Sequence, residues 1–105
     1  MEAKEILDTS VAIERKAGVI TVFTAIEYPP SMNRNFEVVF PQTADYVKAI
    51  EISNKLREKG KPVGAVDIII SSMCMNRARK LVAKDNDFKN ISENFPEFEL
   101  QLLLK

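Results

Sequence analysis

The sequence has no histidine, a single cysteine, no excess charge of either sign and no long apolar run. Without histidine there is no Ser-His-Asp or Cys-His nucleophile system and no His-ligated zinc site. Cys74 stands alone, so an intrachain disulfide and a cysteine metal cluster are both excluded, which suits a reducing, cytoplasmic setting. Fifteen Lys+Arg balance fifteen Asp+Glu, so any nucleic-acid or membrane site must be local. No apolar stretch approaches the roughly 20 residues of a membrane span. The start, Met1 to Glu5, is polar and charged, unlike a signal peptide. What remains for chemistry is carboxylates, hydroxyls and Lys/Arg side chains.

What is present is ordinary for a soluble globular chain: 105 residues, 46% apolar and 29% charged. That length suits one domain over residues 1–105. No repeat, linker or low-complexity segment interrupts it. Residues 4–8 read as a first strand, ending on Asp8, Thr9 and Ser10. Val11 to Lys16 suits a helical turn or two capped by Thr9 or Ser10 and ended by Gly18. Val19 to Phe23 is a β-branched second strand. Thr24 has the spacing of a helix cap with Glu27 at the third helical position, and Pro29-Pro30 stops that helix at once. Phe36 to Phe40 reads as a third strand. A helix over 43–59, capped by Thr43, places Tyr46, Val47, Ile50, Ile52 and Leu56 mostly on one side. Ala65 to Arg79 reads as a second, almost wholly apolar helix interrupted by Asp67. Leu81-Val82-Ala83 is a fourth strand, 89–96 a polar irregular stretch, and Phe98 to Leu102 a last strand at the sheet edge. This alternation predicts a mostly parallel sheet with helices on both faces.

Four places set an acid just after a strand or at a helix start: Asp8, Glu27, Asp67 and the pair Asp85/Asp87. In a parallel sheet the strand ends share one edge, and a helix starting beside that edge would bring Asp67 to the same crevice. Carboxylates held together repel unless a cation neutralises them, and Mg²⁺ or Mn²⁺, hard ions that take oxygen ligands, are suited to that role. Such a site suits phosphodiester hydrolysis. Each acid also has a local explanation as a cap, a dipole partner or a turn former. Asp67 is the hardest to explain locally, because it interrupts an apolar segment and a buried acid needs a partner.

Leu7-Asp8-Thr9-Ser10, Glu27 after a strand, Lys59 to Ile70 around Asp67, and Leu81 to Phe88 around Asp85 and Asp87, in this order and spacing, resemble a PIN domain. More narrowly they resemble the VapC toxins of prokaryotic toxin–antitoxin pairs. The resemblance runs from about Glu5 to Leu102. It implies a three-layer α/β/α domain with Mg²⁺- or Mn²⁺-dependent endoribonuclease activity. It implies Asp8, Asp67 and Asp85 as metal ligands, with Asp87 as a further member of the set. Glu27 would support the metal or orient the water, and Ser10 would assist from behind the ligands. It also implies an RNA substrate, a small VapB-like antitoxin and a homodimer. The chain departs from the family in its short segments around Glu27 and in having Ala83 where the family often has threonine. Those departures motivate a second class of function, a PIN-like interaction module with little or no catalysis. A phosphoacceptor receiver domain fits the element order and the late Asp67 motif poorly.

Other features have local explanations. The basic stretches Lys55 to Lys61 and Arg77 to Lys80 can contact phosphates, but cations are also favoured at helix C-termini. Cys74 between two methionines reads as core, and Tyr28 as packing.

Overall fold

A computed structural model describes residues 4–103, so of the polar start, Met1 to Glu5, the first three residues lie outside the described residues. The five strands are β1 (Ile6–Leu7), β2 (Ala17–Thr21), β3 (Asn35–Val39), β4 (Leu81–Ala83) and β5 (Leu100–Leu102). They form one sheet in the order β3-β2-β1-β4-β5, and every pairing is parallel. The helices are α1 (Thr9–Ala12), α2 (Val22–Glu27), α3 (Thr43–Glu58), α4 (Ala65–Asn76) and α5 (Asp87–Asn94), with a 3₁₀ turn over Pro29–Asn33.

The central strands are buried on both sides, and their two-residue period sorts the core into two clusters. Ile6, Val19 and Leu81 face α3, α4 and α5, where they meet Ile52, Leu56, Ile70 and Phe88. Their chain neighbours Leu7, Ile20 and Val82 face the other way, onto Val11 and Ala12 of α1 and Ala25 of α2. The result is the expected three-layer α/β/α arrangement. Among the described residues no helix is long and apolar enough to cross a membrane.

Four local expectations change. The second strand ends at Thr21, and Val22 and Phe23 already belong to α2. Thr24 is therefore inside the helix rather than capping it, and Glu27 is its last residue. Gly18 ends no helix; it lies in β2 at φ 146°, and an added Cβ would come within 2.9 Å of Leu7 Cδ1. Residues 87–94 are helical, because Phe88 and Ile91, with Phe95 just past the end, bury one stripe at i, i+3 and i+7.

The largest change concerns α3. Its cap is Gln42, in a capping box with Asp45, rather than Thr43. The buried stripe is Asp45, Ala49, Ile52 and Leu56, while Tyr46, Val47 and Ile50 stand 47%, 63% and 71% exposed. Asp45 belongs inside because Arg77 of the loop after α4 grips it with two nitrogens, at 2.9 and 3.0 Å, and Asn76 Nδ2 donates to it at 2.9 Å. The helix ends as expected at Gly60, whose φ of 69° favours glycine. Lys61 N donates to Leu56 O and Gly60 N to Arg57 O, the paired bonds of a Schellman motif.

Candidate metal centre

The chain leaves β1 towards β2 and β3 on one side, then returns to β4 and β5 on the other. The carboxyl ends of β1 and β4 thus flank the point where strand order reverses, the usual place for a ligand in an open α/β sheet. Asp8 follows β1 directly, and its backbone N–H donates to Val82 O of β4 at 2.9 Å. Lys84 and Asp85 follow β4, with α5 starting at Asp87. Gly64 turns the chain into α4, so that Asp67 sits in the first turn of a helix whose later residues are buried.

These placements bring the acids together. One carboxylate oxygen each from Asp67, Asp85 and Asp87 lie within 4.8 Å of one another. Asp8 stands beside this trio in a cleft of about 450 Å³, which Ser10, Ile13, Lys84 and Asp85 also line. Burial pushes the Asp8 carboxyl up to about 6; a bond from the Thr9 backbone opposes this, and the charges of Glu27 and Asp85 add to it. Asp67 is pushed up to about 6 as well, first by burial and then by the charges of Asp8, Asp85, Asp87 and Glu27. Asp8 and Asp67 therefore both feel the charges of Glu27 and Asp85, although Glu27 sits at the end of the short α2.

The local roles exist too. Asp85 Oδ1 accepts a bond from Asp87 N at 2.9 Å and forms the turn that starts α5. That occupies one oxygen of Asp85 and does not account for the crowding. The donor set suits a hard divalent cation: it is all oxygen, and such an ion would offset the burial of the Asp8 and Asp67 charges and the repulsion from their neighbours, which together raise both values. Ser10 adds a buried hydroxyl with no hydrogen-bond partner among the described residues. Lys84, the cation in the cleft wall, is ion-paired with Glu14.

Two hydroxyls that the sequence presents only as helix caps, Thr9 and Thr24, belong to the site. Thr9 donates to Glu27 Oε1 at 3.0 Å, and Thr24, wholly buried, bonds the Thr9 hydroxyl at 2.9 Å. The signal was available: Thr24 and Glu27 are three residues apart and so share a helix face. Several other candidates are accounted for elsewhere. Arg77 is committed to Asp45. The Tyr28 hydroxyl accepts a bond from Arg34, whose guanidinium also stacks 5.4 Å from the ring centre. Cys74 is fully buried, and burial pushes its thiol up to about 12, consistent with core packing.

No family model matches the sequence, and no curated protein matches it. Solved structures do match. The chain is similar to a chain of VapBC2 from Rickettsia felis, solved bound to a DNA fragment from their promoter, with TM-score 0.75 at 15% identity, covering 93% of this chain and 97% of that one. It is similar to DNA-bound VapBC from Salmonella typhimurium, with TM-score 0.73 at 22% identity, covering 95% and 98%. It is also similar to VapBC-5 from Mycobacterium tuberculosis, a member of the VapBC family of toxin-antitoxin systems, with TM-score 0.70 at 19% identity, covering 94% and 98%. The resemblance read from the motifs around Asp8, Asp67 and Asp85 is thus met at the level of the fold. Over nearly its whole length the chain has the PIN-like α/β/α fold found in VapBC toxin–antitoxin structures.

Proposed function

We propose that this chain is a Mg²⁺- or Mn²⁺-dependent endoribonuclease and the toxin of a type II toxin–antitoxin pair. In this reading the whole chain is one VapC-like domain that works in the cytoplasm on RNA. The observation that carries the reading is the crowding of Asp67, Asp85 and Asp87 beside Asp8 at the strand-order reversal, with Asp8 and Asp67 pushed up to about 6. Clusters of perturbed acids in a cleft are characteristic of sites that bind cations or move protons.

Asp67, Asp85 and Asp87 would hold the ion together with Asp8. When bound, the ion supplies Lewis acidity, acidifying water and neutralising charge on the phosphate and the leaving oxygen. The chain's own residues do the rest. Asp85 offers the oxygen not engaged by Asp87 N. Glu27, with Oε1 held by Thr9, has its second carboxylate oxygen to accept the proton of the attacking water. Lys84 in the cleft wall would exchange its Glu14 partner for the phosphate backbone.

The partners follow the same reading. A small VapB-like antitoxin would lay a segment across the cleft mouth, where Ile13 is 46% exposed. A second copy would cover the apolar surface of α3 and α4, where Val47 and Val66 are exposed and Tyr46 and Ile50 line a groove of about 280 Å³. The deciding experiment uses purified protein, single-stranded RNA and Mn²⁺. Cleavage that disappears in chelator and in Asp67→Asn supports the proposal. An absence of both cleavage and calorimetric Mn²⁺ binding refutes it and leaves the interaction-module reading.

A further inference from the structure

Glu27 is badly placed for a carboxylate. It lies at the C-terminal end of α2, where the helix's free carbonyls disfavour an anion, and it faces the charges of Asp8 and Asp67. The helix is six residues long, and Pro29 follows after one residue. The side chain is nevertheless held, and the hydrogen-bond geometry around it has only one solution. The Thr9 hydroxyl donates to Glu27 Oε1 at 3.0 Å. A hydroxyl carries one hydrogen. In the 2.9 Å bond between Thr9 and Thr24, Thr9 must therefore accept and Thr24 must donate. Thr24 is 1% exposed, so its hydroxyl is shielded from competing water.

From this geometry we infer that Thr24 is a positioning residue for Glu27, acting through Thr9. The inference rests on Glu27 serving the nuclease proposed above. Each bond in the chain polarises the next, so the Thr24 hydroxyl makes Thr9 a stronger donor to the carboxylate. Thr9 also belongs to α1 and follows Asp8 directly, while Thr24 and Glu27 belong to α2. The relay thus ties the helix carrying Glu27 to the strand end carrying Asp8. It fixes one oxygen of Glu27 and the distance between two acids that repel. It also explains how so short a helix, cut off by Pro29-Pro30, keeps its terminal acid in register with the site.

The experiment is a mutant cycle on the whole chain, read first in chelator by denaturant unfolding. Thr24 and Glu27 share no hydrogen bond, so although they are neighbours on one helix face, the coupling of Thr24→Val with Glu27→Ala that Thr9→Val abolishes reports the relay. The expected coupling is about threefold or more in the folding equilibrium constant, and it vanishes in a Thr9→Val background. With Mn²⁺ and RNA, Thr24→Val lowers kcat about tenfold with little change in KM, and Thr24→Ser restores it. Additive effects, coupling that survives Thr9→Val, or a Thr24→Ser variant no better than Thr24→Val would each overturn the inference. If the wild type itself cuts no RNA, the nuclease reading fails, while the cycle in chelator still decides the relay.

Discussion

Replacing Asp8 with asparagine should stabilise the metal-free protein while removing the proposed nuclease activity. Burial, assisted by the charges of Glu27 and Asp85, holds the carboxyl at about 6 rather than 3.8. Keeping it ionised at neutral pH therefore costs up to about 3 kcal/mol, at ~1.4 kcal/mol for each tenfold in acidity. Solvent reaches the cleft, so the recoverable part is smaller, about 1–2 kcal/mol. Asparagine is nearly isosteric and keeps an oxygen to accept the bond from the Thr9 backbone. For a domain of this size the gain corresponds to roughly 5–10 °C in Tm. The pH dependence has a definite sign. The folded value lies above the unfolded one, so between about 4 and 6 the folded chain binds more protons. Wild-type stability falls as pH rises through that window, and the advantage of Asp8→Asn is absent near pH 4 and complete above about 6. Thermal melts in chelator at pH 4 and pH 7.5 measure it. A variant no more stable than wild type at pH 7.5, or an advantage that ignores pH, would refute the account of a strained acid cluster.

The remaining predictions concern other parts of the molecule. Mn²⁺ at about one hundred times its Kd should raise stability by about 2.7 kcal/mol at pH 7.5, less at pH 5, and hardly at all in Asp67→Asn; differential scanning fluorimetry reads this. Asp45→Asn leaves the Arg77 guanidinium without its charge partner and weakens the α3 cap, so unfolding in urea should show a loss of about 3 kcal/mol. Arg77→Met should cost a similar amount, and the double variant less than the two losses added. Ile50→Asp should convert the proposed dimer to a monomer in sedimentation without lowering Tm by more than a few degrees, since the residue is 71% exposed.

The order of elements and the parallel sheet were legible because β-branched runs and helix stops punctuate this chain at short, regular intervals. Asp8, Asp67 and Asp85 could be placed at one edge from that order alone, since each lies just after a strand or in the first turn of a helix. The local geometry around Glu27 was not legible. Val22 and Phe23 suit a strand as well as a helix, and the helix begins there because the ladder between β2 and β3 ends at Thr21 and Val39. Shifting that start by three residues turned an expected cap, Thr24, into a buried hydroxyl facing Thr9. The polar run after Phe88 hid α5, whose three buried aromatic and aliphatic positions are enough to hold it. On α3 hydrophobicity misled most: an aspartate and an alanine point inward while Tyr46, Val47 and Ile50 point out. Sequence patterning reports which residues avoid water, and it does not say whether their cover comes from the same chain.

The strand order also sets when the site can exist. β1 opens the described chain yet lies at the sheet's centre, and its second neighbour, β4, begins at Leu81. During synthesis β1, β2 and β3 can pair early, but Asp8 has an open strand edge beside it until β4 emerges. Asp85 and Asp87 arrive only with that strand and the helix after it. Closing so long a loop is slow, and it comes late in any folding route that starts from local contacts. A ribosome-bound or truncated chain carrying Asp8, Glu27 and Asp67 therefore has no assembled acid cluster. The acids can meet only once β4 has paired with β1.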